Sequence, residues 1–208
     1  MIIAITDRKI SAKRDFLEQI ENIAGAGPDM IILREKDLSE AEYKYLAVEC
    51  ARICSYYNVK FCVNSFIKIA KLIDNRRVQL PFRSFVSHLE ELNGFDEVWV
   101  SVHTMDEAAD AAALGATHLI YGNVFETSCK PGVEGKGIEE LKEICKKVPV
   151  PVFAVGGINS LNASKVYGAG CEGICVRSFL MQSNDPQRYV AELRIWSSRG
   201  LSIRGGEK

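Results

Sequence analysis

The chain has 208 residues, a formal net charge of −1 and an apolar content of 47%. This length suits one substantial core and falls short of two ordinary domains. The near-neutral charge gives no global field for nucleic acid or an anionic membrane, and no apolar run reaches the length of a membrane span.

Short apolar runs alternate with helical periodicity from end to end. Ile2–Thr6 opens the chain as a first strand and lacks the layout of a signal peptide. Phe16, Leu17, Ile20 and Ile23 then recur three or four apart, the spacing of an amphipathic helix. Met30–Leu33 is the second strand and ends in Arg34, Glu35 and Lys36. Tyr43, Leu46, Ala47, Cys50, Ile53 and Cys54 repeat the helical spacing. Lys60–Val63 is the third strand, closed by Asn64 and Ser65, with a short helix expected near Phe66–Ile73. The fourth, Arg77–Leu80, has little β-branching and runs into Pro81. Glu97–Val100 is the fifth, with Ser101 and His103 at its end and a helical Met105–Leu114 behind it.

His118–Tyr121 is the sixth strand. It leads through Gly122 and Asn123 into a long loop, Val124–Lys136, carrying Glu126, Thr127, Cys129, Lys130 and Glu134, with Gly132, Gly135 and Gly137 as hinges. A loop of this length in a tight fold reads as a substrate cover. Ile138–Cys145 is helical. Val152–Val155 is the seventh strand; it ends in Gly156 and Gly157, and a helix is expected from about Asn159. Gly173–Val176, the eighth, meets Arg177 and Ser178 at the start of another helical pattern. One domain is expected over residues 1–196, with 197–208 a polar, Gly-rich tail that frays.

Eight strand–helix units predict an α/β protein, a single parallel (β/α)8 TIM barrel. An open, doubly wound sheet is the alternative, because periodicity alone does not close a sheet. The seven cysteines include no CxxC pair and mostly fall in apolar or amphipathic patterns. They read as reduced thiols in a cytoplasmic core rather than as a disulfide framework or zinc site.

In such a barrel, chemistry sits at the C-terminal ends of the strands. The ends of the last two strands, Gly156–Gly157 and Arg177–Ser178, can present backbone N–H groups to a phosphate, although the glycine pair alone reads as well as a turn. Arg34, Lys36 and Lys130 are cations on the same rim; they suit a phosphate or pyrophosphate, or form surface ion pairs with Glu35, Glu126 and Glu134. His103 is either a general acid or base or a hydrogen-bonded supporting residue. No carboxylates and imidazoles cluster at ligand spacing, so no protein-built metal cage is expected.

These residues resemble motifs of the thiamine phosphate synthase/TenI family, over nearly the whole chain up to about Ile195. Ile32-Leu33-Arg34-Glu35-Lys36 is close to the family's Q-x-R-x-K pattern. Gly122-Asn123-Val124-Phe125-Glu126-Thr127-Ser128-Cys129-Lys130 reproduces its G-x-x-F-x-T-x-x-K loop, and Ala154-Val155-Gly156-Gly157-Ile158 looks like its thiazole-phosphate strand. Within the family the chain is more similar to TenI: Val78-Gln79-Leu80-Pro81-Phe82-Arg83-Ser84-Phe85, Ser101-Val102-His103-Thr104 and the loop from Val124 to Lys130 match TenI patterns.

The resemblance implies a cytoplasmic protein of thiamine biosynthesis that binds a phosphorylated thiazole. It implies no nucleic-acid or membrane partner, and it allows a homodimer. Arg34, Lys36, Asn64, Ser101, Thr127 and Lys130 would form the pyrophosphate-type shell. Gly156, Gly157, Arg177 and Ser178 would hold the thiazole phosphate. TenI members are thiazole tautomerases, which move a proton to aromatise a carboxythiazole phosphate; others were first named as transcriptional regulators.

Two departures stand out. The synthases hold Mg²⁺ with two aspartates, and the matching positions here are Ser65 and Ser84. No cofactor is therefore expected, with Mg²⁺ entering only if synthase activity is retained. The tautomerase's catalytic histidine is Asn123 here, and an amide cannot relay a proton at neutral pH. The expectation is a tautomerase-type isomerase whose catalytic positions are Asn123 and His103. A synthase, or a non-catalytic thiazole-phosphate-binding regulator, is the alternative.

Overall fold

The structure is a computed structural model that describes residues 1–11, 15–127, 132 and 134–204, with 198–204 described as backbone. Its strands are β1 (Ile2–Ile5), β2 (Met30–Leu33), β3 (Lys60–Asn64), β4 (Arg77–Pro81), β5 (Glu97–Val102), β6 (His118–Gly122), β7 (Val152–Val155) and β8 (Gly173–Val176). They pair in parallel in chain order and close into one barrel. The closing seam sets Ile3 opposite Cys175 and Ala4 opposite Val176, which excludes the open sheet.

Closure follows from what the strands bury. Alternate residues Ile3, Ile5, Met30, Ile32, Cys62, Trp99, Ile120, Phe153 and Cys175 fill the barrel interior. The residues between them, among them Ile2, Ile31, Leu33, Val63, Val100, Tyr121, Ala154 and Ile174, belong to the core between sheet and helices. Both faces are thus buried, and the strands read as continuous apolar runs. Among the described residues Cys50, Cys54, Cys62, Cys171 and Cys175 are buried and Cys145 is half-buried, as the patterning predicts. Burial pushes the Cys54 thiol up to about 12, which keeps it protonated and unreactive.

The outer layer comprises α1 (Phe16–Gly25), α2 (Glu40–Tyr56), α3 (Ile67–Leu72), α4 (Phe82–Ser87), α5 (Met105–Ala113), α6 (Ile138–Lys147), α7 (Ala163–Gly168), α8 (Ser178–Met181) and α9 (Pro186–Arg204). Local chemistry sets several starts. Asp15 accepts from the N–H groups of Leu17 and Glu18, Thr104 accepts from Glu107, and Ser39 and Glu42 form a reciprocal capping box. None of the helices among the described residues is long and apolar enough to cross a membrane.

Two expected boundaries differ. The helix after β7 begins at Ala163, not near Asn159. Asn162 accepts from the Asn159 N–H at 2.8 Å and donates to the Gly157 carbonyl at 2.9 Å, so 157–162 is tied into a loop instead. At the other end, α9 continues through Arg204, past the expected tail boundary at 197. The helix as a whole contacts α7, α1 and β1.

The N-terminal end of the barrel is plugged by a charged cluster. Trp99 is fully buried and donates its indole N–H to Glu97 at 2.9 Å, while its ring stacks on His118 at 4.0 Å. The same carboxylate accepts from Lys60 and Arg77, each at 3.0 Å. Burial opposes the charge on Glu97, but the bonds from Lys60, Trp99 and Arg77 outweigh it and hold the carboxyl below its ordinary range. A depressed folded-state value stabilises the fold above the unfolded value, and this contribution is lost as pH falls through the folded one. Glu97→Gln is expected to cost about 1–3 kcal/mol at pH 7 in urea denaturation. The gap from wild type should narrow below about pH 4; a gap independent of pH would contradict the role of the charge.

Candidate active site

The pleat that fills the barrel interior also decides what reaches its C-terminal mouth. Two positions beyond interior residues Ile5, Ile32, Cys62, Trp99 and Cys175 lie Asp7, Arg34, Asn64, Ser101 and Arg177. His103 follows Ser101 by two more. The sequence expectations Arg34, Asn64, Ser101, His103 and Arg177 therefore converge on one end of one barrel.

Glu35 braces the β1–β2 side. It is 2% exposed, accepts from Thr6 Oγ1 at 2.7 Å and from the Arg8 N–H at 3.1 Å to both oxygens. Thr6 Oγ1 in turn accepts the Arg34 N–H at 2.9 Å. Burial raises the Glu35 carboxyl above its ordinary value, against the pull of the Thr6 and Arg8 bonds. The alternative that makes Glu35 a surface partner of the rim cations is corrected: Glu35 is buried and forms an internal tie that fixes the backbone of Arg34. Arg8 forks onto Asp37 at 2.7 and 2.8 Å. The bonds from Arg8 and Lys9 hold the Asp37 carboxyl well below the usual carboxylate range. Arg34 is half-buried and Lys36 exposed.

A second chain of bonds crosses β3, β4 and β5. Asn64 and Gln79 are 2% and 5% exposed. The Asn64 amide donates to Gln79 Oε1 at 2.6 Å, and Gln79 Nε2 donates to Ser101 Oγ at 2.8 Å. Tyr43, from α2, anchors this chain by donating to the Leu33 carbonyl at 2.6 Å and accepting the Asn64 N–H at 3.0 Å.

His103 is exposed at the mouth, with Nδ1 2.6 Å from the Gly122 carbonyl oxygen. A carbonyl only accepts, so Nδ1 carries the proton and Nε2 of the neutral ring carries the basic lone pair. The histidine is thereby held against the peptide that joins Gly122 to Asn123. Asn123 is 4% exposed, and its amide makes a long bond, 3.4 Å, to the Phe125 carbonyl.

The loop after β6 locks onto the turn after β7. Val124 donates to the Val155 carbonyl at 2.9 Å and Phe125 to the Gly156 carbonyl at 3.1 Å. From the loop's far end, Lys136 and Gly137 donate to the carbonyls of Asn123 and Val124, each at 3.0 Å. A Cβ on Gly156 would lie 2.4 Å from Asn123 Cβ, and one on Gly157 would lie 2.3 Å from the Glu126 carbonyl oxygen. Both glycines also have positive φ, +103° and +64°. The protein's own loop thus requires this glycine pair, apart from any anion. Thr127 is half-buried at the end of the described part of the loop; Lys130 and Cys129 lie outside the described residues. Arg177 turns toward Asp7, 3.4 Å away across the β1–β8 seam, and Ser178 opens α8.

The donors here do not fit a carboxylate-held Mg²⁺. Ser65 is exposed with φ +66°, and Ser84 gives its carbonyl to His88 Nδ1 at 2.8 Å. The mouth carboxylates Asp7 and Glu35 are taken by Arg177 and by Thr6 with Arg8. Among the described residues no group of three His, Cys, Asp or Glu side chains could hold a metal. A hard cation prefers several anionic oxygens, which this set does not offer.

A family profile described as thiamine monophosphate synthase matches residues 2–180. The chain belongs to this family, the one that includes TenI. A thiamine-phosphate synthase of Clostridium acetobutylicum is 34% identical over 181 residues, covering 86% of each chain. A putative thiamine-phosphate synthase 2 of Aquifex aeolicus is 34% identical over 182 residues, covering 87% of this chain and 97% of its own. The solved thiamine phosphate pyrophosphorylase from Pyrococcus furiosus superposes with a TM-score of 0.83 at 28% identity, covering 96% of both chains. The chain is thus a thiamine-biosynthesis family member resembling the synthases.

The sequence places Gln79 at the end of β4 without a role, offers Glu35 only as a surface ion-pair partner, and assigns no role to Asp7, Tyr43 or Asn162. Asp7 and Gln79 had a signal, since each falls on the inward pleat of its strand. Tyr43 and Asn162 act through tertiary bonds that no local pattern announces. Gly157→Ala is expected to destabilise by more than about 1 kcal/mol in thermal denaturation, from positive φ and the clash with the loop. An unchanged midpoint would contradict this packing of the loop.

Proposed function

We propose that the chain binds a phosphorylated thiazole at the barrel mouth and transfers a proton on it, as a tautomerase-type isomerase. The observation that carries this reading is the bond between His103 Nδ1 and the Gly122 carbonyl. It presets the tautomer in which Nε2 is the base, beside the position where TenI carries its own histidine. In the reaction Nε2 takes a proton from one ring position, and the imidazolium returns one to the exocyclic carbon. The thiazole gains aromaticity and the enzyme ends unchanged. The phosphate would sit at the backbone N–H groups of Gly157 and Ser178, where the chain ends turn outward. Arg177, half-committed to Asp7, and Arg34 would offset ligand charge. Lys36, Thr127 and Lys130 complete the proposed anionic shell. A cytoplasmic setting and a homodimer belong to the same proposal.

A second reading, thiamine phosphate synthase, is favoured by the names of the relatives and by the polar set Arg34, Asn64 and Ser101. Against it stand Ser65 and Ser84, which offer hydroxyls where the reaction's metal needs carboxylates.

Assay of both carboxythiazole phosphate tautomers decides the first reading. His103→Ala is expected to lower conversion by 10²-fold or more, the usual contribution of a positioned acid–base group, and Asn123→His to raise it. Full activity after His103→Ala, with no gain from Asn123→His, would remove His103 from the chemistry. For the second reading, wild type should show little synthase turnover with the pyrimidine pyrophosphate and Mg²⁺. Ser65→Asp combined with Ser84→Asp should raise metal-dependent turnover; robust wild-type turnover would favour the synthase.

A further inference from the structure

We infer that Gln79 is a positioning residue that turns the Ser101 hydroxyl into a one-way donor for an anionic oxygen of the ligand. This rests on the barrel mouth being the ligand site, and it goes beyond the proton transfer assigned to His103. Hydrogen-bond polarity sets the direction. Amide side chains can face either way, so their direction must be fixed by a group that cannot reverse. Here that group is the Gln79 backbone carbonyl, which only accepts. The Asn64 side chain lies 3.3 Å from it, so the edge of Asn64 facing β4 is its NH₂.

The rest follows in sequence. The Asn64 NH₂ also meets the Gln79 side chain, at 2.6 Å, and that contact must be to Oε1. The Gln79 amide is then oriented with Nε2 toward β5, where it donates to Ser101 Oγ at 2.8 Å. A lone pair of Ser101 is consumed by this bond, and its own proton is directed to another acceptor. Burial makes the direction costly to reverse: with Asn64 2% and Gln79 5% exposed, flipping either amide would set like groups face to face away from water. Ser101 lies one pleat below His103 on the inward face of β5. The hydroxyl and the imidazole are therefore offered to the same ligand.

The test separates polarity from mere packing. Gln79→Glu preserves shape but replaces the donor NH₂ with an oxygen. The ionised carboxylate accepts from both Asn64 and Ser101 and draws the hydroxyl proton away from the mouth. When protonated, the same side chain regains a donor. Burial should raise that carboxyl above its usual value of about 4.3, which brings the switch into a workable pH range. Among the described residues, the other titratable groups at the mouth are His103, Asp7 and Glu35, and the cations are Arg34, Lys36 and Arg177. All are common to both proteins, so the readout is the ratio of variant to wild type at each pH.

Inorganic pyrophosphate without metal serves as the probe, measured by calorimetry at pH 8 and pH 5.5, with thermal midpoints as a folding control. Wild type is expected to bind it. Gln79→Glu should bind about tenfold more weakly at pH 8, the scale of a lost bond to a charged group, and recover much of this at pH 5.5. Gln79→Met should be weaker than wild type by a ratio that does not change with pH. Ser101→Ala with Gln79→Glu should be no weaker than Ser101→Ala alone, because Gln79 acts through the hydroxyl. A Gln79→Glu ratio that is flat with pH, a loss additive with Ser101→Ala, or no pyrophosphate binding by wild type overturns the inference. Tautomer conversion is assayed in parallel. If the pyrophosphate pattern appears without conversion, the isomerase reading falls and the role of Gln79 stands.

Discussion

A closed eight-stranded barrel has an interior just wide enough for its own side chains, and that limit organises this molecule. Each strand sends every second residue inward, and the inward space is consumed by Ile3, Met30, Ile32, Cys62, Trp99, Ile120, Phe153 and their neighbours. Nothing polar can sit in that layer without a partner. Charged and amide groups are pushed to the two ends, where the same two-residue repeat places them. At the N-terminal end the result is the Glu97 cluster that satisfies the buried indole of Trp99. At the C-terminal end it is a ring of Asp7, Arg34, Asn64, Gln79, Ser101, His103 and Arg177.

The two ends differ in how their polar groups are used. Around Glu97, three donors converge on one carboxylate and leave its charge compensated within the fold. At the mouth, bonds run in series and end at groups that face outward. Tyr43, Asn64 and Gln79 finish at Ser101, and the Gly122 carbonyl finishes at His103. Bonds in series fix orientation without consuming the last group in the row. This is the arrangement a binding site needs, since a preset donor or base loses little freedom when the ligand arrives.

The barrel was legible because its strands are buried on both faces and its helices on one. Runs such as Met-Ile-Ile-Leu at 30–33 and the three- and four-residue spacing from Tyr43 to Cys54 are direct consequences of that burial. Strand ends were legible to within two residues, and with them most of the rim. What escaped was set by tertiary bonds. Asn162 holds a loop where a helix was expected, and α9 runs past residue 197 into a stretch read as a tail. The glycine pair at 156–157 was read for its openness to an anion. The structure adds a nearer reason, the loop backbone that occupies the space of both missing side chains. Glu35 looked like a surface charge because its neighbours in sequence are charged; its partners, Thr6 and Arg8, come from another strand end.

The proposed proton transfer turns on the imidazole of His103, because the resemblance to TenI puts the tautomerase histidine at Asn123, whose amide can neither take nor return a proton. The most direct measurement is the ¹⁵N spectrum of the His103 ring in uniformly labelled protein, at a pH where the ring is neutral, with His103→Ala used for assignment. The account predicts a protonated, pyrrole-type Nδ1 and a lone-pair, pyridine-type Nε2. The reversed tautomer, with Nε2 protonated, would contradict it.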